Sequence, residues 1–253
     1  ENWWSNLHSW SILESLKATF TVAALFLLMS WDTYAGGPVG GSPHQHTRQP
    51  IVTGTSVIGV KYRDGVMLAA DTLASYGSMA MFKDVERLYK VSGSTVIGAG
   101  GEYSDFQKIQ TILDNLTSDD QNLDDGYEHS PSEIYHYMRS VMYSRRNKMN
   151  PLWNHLLIAG FNKGKSFLGS VDLIGTAYED DFLATGFGSY LAIPILRKKW
   201  HSDMDEGEAR ALLEECLRVL FYRDCRALNK IQIAKATETG TLISQPYSIQ
   251  TDW

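Results

Sequence analysis

The sequence predicts an α+β fold of four αββα layers: two antiparallel sheets face to face, with helix pairs covering both outer sides. Three observations predict it. Strand-patterned segments come as hairpin pairs, which favours antiparallel sheets over a doubly wound parallel one. Helical segments enter two at a time between those hairpins. A chain of 253 residues, 43 % of them hydrophobic, is large enough to bury such a core in one domain.

The elements justify this in order. Thr55 to Tyr62 and Val66 to Ala70 read as strands joined by the turn signal Arg63-Asp64-Gly65. Arg87 to Val91 and Thr95 to Ala99 form a second hairpin around Ser92-Gly93-Ser94. "GEYSDFQKIQTILDNL" then changes to helical period, with Phe106, Ile109 and Leu113 on one stripe and an acidic loop, Asp119 to Asp125, after it. Ser130-Pro131-Ser132-Glu133 supplies an N-cap, a first-turn proline and a capping-box glutamate for a helix burying Ile134, Met138 and Val141. "NHLLIAGF" and "SFLGSVDL" are strands around Asn162-Lys163-Gly164-Lys165. "GSYLAIPILRKKW" is helical with a kink near Pro194. Ala209, Leu212, Leu213, Cys216, Leu220 and Phe221 mark the clearest amphipathic helix. "KIQIAKATETGTLIS" closes with a hairpin, and the tail from about residue 244, "SQPYSIQTDW", has no strand or helix period and is expected to fray in an isolated domain.

The folded domain is expected over residues 47–253, preceded by a leader over 1–46. The stretch Ala35–Pro50, which runs across that boundary, is rich in Gly, Pro, Ser and His and reads as flexible, and residues 1–30 match nothing familiar. Within the leader, Ala18 to Trp31 is uncharged and mostly apolar. It is shorter than the roughly 18 to 20 residues that span a bilayer but long enough for a signal segment, so secretion or tethering stands as an alternative reading. The sequon Asn115-Leu116-Thr117 adds little to it. A net charge of −6 gives no basic field for nucleic acid. Cys216 and Cys225 stand nine residues apart, roughly 13 Å along a helix and too far to bridge, which fits a reducing compartment. No metal-ligand spacing is present. His136 and His155 read as packing or surface residues, and Arg145, Arg146 and Lys148 as a helix end or an inter-subunit contact. "GAGGEYSDF" lacks the full phosphate-loop pattern, and tight strand-to-helix packing accounts for its glycines.

Three stretches, "GTSVIGVKYRDGVMLAADT", "VIGAGGEYSDFQ" and "LATGFGSYLA", resemble the proteasome beta-subunit family. "QHTRQPIVTGTSV", "YSRRNKMNPLWN" and "LRVLFYRDCRALNKIQIA" are similar to one subtype within it. The resemblance spans about Thr47 to Trp253 and implies an N-terminal-nucleophile hydrolase sandwich. Active members use a threonine freed by self-cleavage after glycine, so that its own amine serves as base. An aspartate and a lysine lie near it, and a serine and a second aspartate support them. Thr55 falls at the nucleophile position after Gly54, and Asp71 at the aspartate. Arg87 stands where the lysine belongs; counting on without gaps puts Arg197 near the second aspartate and Trp153 near the serine.

An arginine keeps the charge of a lysine but does not relay protons, and its fork is larger. These positions are therefore expected to be vestigial, with Thr55 keeping an amide in place of an amine. Processing is expected upstream, between His46 and Thr47, at the "T-x-x-P"-like start Thr47–Pro50. The resemblance further implies no cofactor or metal and no nucleic-acid or membrane partner. It implies assembly with other proteasome alpha and beta subunits in stacked seven-membered rings, location in cytoplasm and nucleus, and a non-catalytic place in ATP- and ubiquitin-dependent protein degradation. A C-terminal arm reaching the opposite ring is implied for the tail. The alternative is an active threonine endopeptidase using Thr55.

Overall fold

The structure, a computed structural model, describes residues 49–252 apart from Asp124. One sheet contains β2 (Val57–Tyr62), β3 (Gly65–Asp71), β11 (Phe182–Ala184), β12 (Lys230–Thr237), β13 (Gly240–Ile243) and β14 (Tyr247–Ser248), in the order β11-β2-β3-β12-β13 with β14 also on β12. The other contains β1 (Val52–Gly54), β4 (Ala74–Tyr76), β5 (Met79–Phe82), β6 (Leu88–Lys90), β7 (Thr95–Glu102), β8 (Asn154–Asn162), β9 (Lys165–Val171) and β10 (Ala177–Glu179). Its order is β10-β9-β8-β7-β1-β4-β5, with β6 also on β7. Every pairing named is antiparallel.

Period-two alternation explains the layering. In β2 and β3, Ile58, Val60, Met67 and Ala69 face outward, while Val57, Val66, Leu68 and Ala70 face the other sheet. Both faces are apolar because both are covered, which is why these strands read as nearly continuous hydrophobic runs. The layer between the sheets is closed by Val96, Leu157, Leu168 and Ala234. Gly59 and Gly98 keep it thin, since a Cβ on Gly98 would sit 2.7 Å from Val57 Cγ1.

Helices α1 (Tyr103–Leu123) and α2 (Pro131–Asn147) cover one outer face through Phe106, Ile109, Leu113, Ile134, Met138 and Met142. Short α3 (Gly188–Leu191), α4 (Ile193–Lys199) and long α5 (Glu206–Arg223) cover the other. The expected αββα arrangement is present. The α2 capping box is formed as anticipated, with Glu133 N–H donating to Ser130 and the Glu133 carboxylate accepting from the Ser130 N–H at 2.7 Å. The helix break falls at Ala192, two residues before Pro194.

Several expectations require correction. Thr55 does not start a strand: β1 ends at Gly54 and β2 begins at Val57, so Thr55-Ser56 is the link by which the chain passes from one sheet to the other. The proposed acidic loop is helical through Leu123, because α1 continues past its apolar stripe. Met142 is fully buried in α2 while Val141 is only partly so, and Phe221 is partly exposed at the end of α5. Cys225 lies beyond α5 and is exposed, while Cys216 is buried within it; both are free thiols. The tail is tied down rather than frayed: Tyr247 pairs with Ile231, Ile249 is buried, and Asp252 N–H donates to Tyr222 Oη at 2.9 Å. No helix among the described residues is long and apolar enough to cross a membrane. His46, Thr47 and Ala18–Trp31 lie outside the described residues.

Candidate functional site

The sheet-to-sheet link at Thr55-Ser56 forms part of a cleft of about 610 Å³. Gly100 and Gly101 of β7, Trp153 and His155, the Thr185–Phe187 turn and Asp224–Arg226 complete its wall. The glycines are there for backbone approach. A Cβ on Gly100 would lie 2.6 Å from the Thr55 carbonyl oxygen, and Gly101 adopts φ +97° with a Cβ position 2.1 Å from the Trp153 carbonyl. The "GAGG" run is therefore a packing device at this link and between the sheets, not the strand-to-helix packing expected from its sequence context.

Arg87 fixes the link from below and is 2 % exposed. Its Nε donates to Asp71 O at 2.9 Å, Nη1 to Thr55 O at 2.9 Å and Ala99 O at 3.3 Å, and Nη2 to Ser56 O at 3.0 Å and to the Asp71 carboxylate. A guanidinium has five N–H donors, and all five are used. The other Asp71 oxygen accepts from Leu228 N–H at 2.9 Å. Burial pushes the Asp71 carboxyl up from its ordinary range, and Arg87 and the Leu228 N–H pull it back. The ion pair is the state that fits, because a neutral Asp71 would leave a buried guanidinium without its counter-charge. Gly54 makes room: a Cβ there would meet Arg87 Cδ at 2.4 Å.

Thr55 Oγ1 donates to Asp224 Oδ2 at 2.5 Å, and Asp224, 4 % exposed, also accepts from Arg226 N–H at 2.9 Å. Asp224 follows the last residue of α5, and its own N–H caps Leu220 O at 2.7 Å. Ser56 and Thr185 complete the framework, since Ser56 Oγ accepts from Gly188 N–H and Thr185 Oγ1 from Val57 N–H. His155 Nε2 lies 2.8 Å from Ser170 Oγ, and burial lowers its pKa below the usual imidazole value. Among the described residues, no group of three or more His, Cys, Asp or Glu is arranged to hold a metal ion.

The nitrogen side of Thr55 is equally committed. Residues Val52–Gly54 form β1, held between β4 and β7 with Val52 opposite Tyr76 and Gly54 opposite Gly101. Glu102 anchors its start, accepting from Val52 N–H at 3.1 Å and from Ile51 N–H, while Ser104 Oγ donates to its other oxygen at 3.0 Å. The three residues before Thr55 therefore form a strand paired on both sides.

Comparison with known proteins agrees with this architecture. A protein-family model described as "Proteasome subunit" matches residues 51–236. The chain belongs to the proteasome subunit family. It is 52 % identical over 209 residues to "Proteasome subunit beta type-4" of Arabidopsis thaliana, covering 83 % of this chain and 85 % of that one. The relative of the same name in Xenopus laevis is 46 % identical over 85 % of this chain and 89 % of its own. "Proteasome subunit beta type-7" of Saccharomyces cerevisiae is 45 % identical, with 77 % of each chain covered.

Within this proteasome subunit, Thr55, Asp71 and Arg87 meet at the link. Arg197 does not join them; it is exposed in the last turn of α4 and is not part of the cleft wall. The second carboxylate beside Thr55 is Asp224. Trp153 does line the cleft, half-buried, but brings an indole where a hydroxyl was sought. Both displaced assignments came from counting across loops whose lengths the offset ignored. Anchoring the count at the end of the α5 apolar stripe, in "FYRDCR", would have found Asp224. Nothing in the local pattern singled out Glu102.

Proposed function

We propose that this chain is a non-catalytic beta subunit of the 20S proteasome core particle. It fills one place in each seven-membered beta ring, contacts neighbouring alpha and beta subunits, and helps enclose a chamber in which other subunits cut peptide bonds, in cytoplasm and nucleus. The observation that carries this reading is Arg87 at the position of the family's lysine, 2 % exposed with every N–H bound to a backbone carbonyl or to Asp71. Without a free amine the hydroxyl has Asp224 as its hydrogen-bond acceptor among the described residues, and a carboxylate is a far weaker base than an amine. Arg87 adds charge but no proton relay, because its donors are fixed on carbonyls and on Asp71. Removal of the leader between His46 and Thr47 would leave Thr47–Gly54 attached, with β1 intact.

The competing reading is an active N-terminal threonine endopeptidase. Intact core particles treated with a peptide epoxyketone, which needs both a hydroxyl and a free amine on the same residue, discriminate the two. This subunit is expected to remain unlabelled while catalytic neighbours react. An adduct on Thr55 would establish the endopeptidase instead.

A further inference from the structure

Helix α2 opens a long stretch of chain without carboxylates. From Ile134 to Val171 there is no carboxylate side chain, yet the stretch holds Arg139, Arg145, Arg146, Lys148, Lys163 and Lys165, in a protein of net charge −6. Among the described residues, Arg139, Arg145, Arg146 and Lys148 have no carboxylate within ion-pair distance.

These cations border a groove. His136, Arg139, Tyr143 and Arg146 recur along one face of α2 and stand opposite Ile174 and Thr176, enclosing about 710 Å³. The groove is already shaped. Asp172 Oδ1 accepts from the N–H groups of Ile174 at 3.0 Å and Thr176 at 2.8 Å, so this carboxylate holds its own loop. Gly175, at φ +83°, seats the loop against the helix, where a Cβ would lie 2.7 Å from Tyr143 Cβ. The Arg146 guanidinium lies 5.9 Å from the Tyr143 ring centroid, giving a flat cationic surface beside exposed Ile174. Arginine and tyrosine in a preformed groove are the residue types that dominate interface energetics, and unpaired cations select a partner of opposite charge.

We propose that this groove docks a short acidic segment of a neighbouring subunit, an inference that rests on the subunit reading above. The size of the groove suits a few residues carrying carboxylates and an apolar side chain, and the negative charge of the remaining chain opposes a long polyanion such as RNA.

The test uses the full chain assembled in core particles, with Ser140→p-benzoylphenylalanine as a photo-crosslinker within the groove. Mass spectrometry of the irradiated particle is expected to locate the adduct on an Asp/Glu-rich segment of another subunit. The double variant Arg139→Glu/Arg146→Glu is expected to cut adduct yield at least tenfold or to be outcompeted by wild type for entry into the particle, with an unchanged melting temperature for the free chain. Should the reversal variant not fold, Arg139→Gln/Arg146→Gln gives the same comparison with a smaller loss. No adduct, an adduct on nucleic acid or on a segment without excess carboxylates, or undiminished yield in the variants, in a particle that contains the chain, overturns the docking site alone. Absence of the wild-type chain from the particle overturns the subunit reading and this inference together.

Discussion

Five donors on Arg87 meet five acceptors, and four of those are backbone carbonyls of Thr55, Ser56, Asp71 and Ala99. The side chain is a rivet through the sheet-to-sheet link. Lysine has three donors and cannot satisfy the same set, so Arg87→Lys is expected to destabilise the chain by about 2 kcal/mol or more, without conferring peptidase activity. Arg87→Met, which strands Asp71, should cost about 3–5 kcal/mol. Urea unfolding measures both, and an Arg87→Lys chain as stable as wild type would refute the rivet. Arg87 was legible by counting from Thr55 because the intervening hairpins are short. Asp224 was not, because the chain between it and Thr55 includes loops of arbitrary length. His155 supplies a pH signature. Its folded-state pKa is lowered by burial, so the unfolded chain binds the proton first as pH drops below about 6.5. Its contribution is full above that pH and is lost as pH falls toward the folded value. Stability measured from pH 7.5 to 5.5 should therefore decline more steeply in wild type than in His155→Gln; parallel profiles would show that His155 is not the group responsible.

Strand β1 is only three residues long, yet it joins β7 to β4 and carries the peptide bond that would have to be cut to free Thr55. Its anchor is electrostatic as well as geometric, since Glu102 is 94 % removed from solvent and bonds two of its leading N–H groups. Hydrogen bonds to a charged group contribute about 1.5–3 kcal/mol. Glu102→Ala is expected to lose about that much locally, seen as faster amide exchange at Val52 to Gly54; unchanged protection would remove Glu102 from the account. Strands β4 and β5 went unread for a related reason. They are three and four residues long, and β5 is exposed throughout, so no burial alternation marks them. The α2 start was readable because a capping box is a local signal. The tail was not, because its order comes from distant partners: β12 pairs with β14, and the Arg218 guanidinium donates to Gln250 O at 3.1 Å. Deleting residues 245–253 removes Ile249 from the core and is expected to cost about 2–3 kcal/mol, a loss that a melting curve would show and that an unaltered curve would rule out.

The two sheets and their helical covers follow from patterning that is visible along the chain: period two on both faces of β2, β3 and β12, then apolar stripes on α1, α2 and α5. What patterning cannot express is the passage between the sheets, because Thr55-Ser56 belongs to neither. There the molecule uses a buried ion pair, three close-approach glycines and a paired strand to hold a threonine hydroxyl against Asp224. Arg87 and Asp71 are committed to holding the backbone of this link, which suits a wall of a proteolytic chamber. Mass spectrometry of the N-terminus of this chain, taken from assembled particles, tests that most directly. A mature chain that begins at Thr47 and retains Val52–Gly54 is the predicted result; one that begins at Thr55 would contradict it.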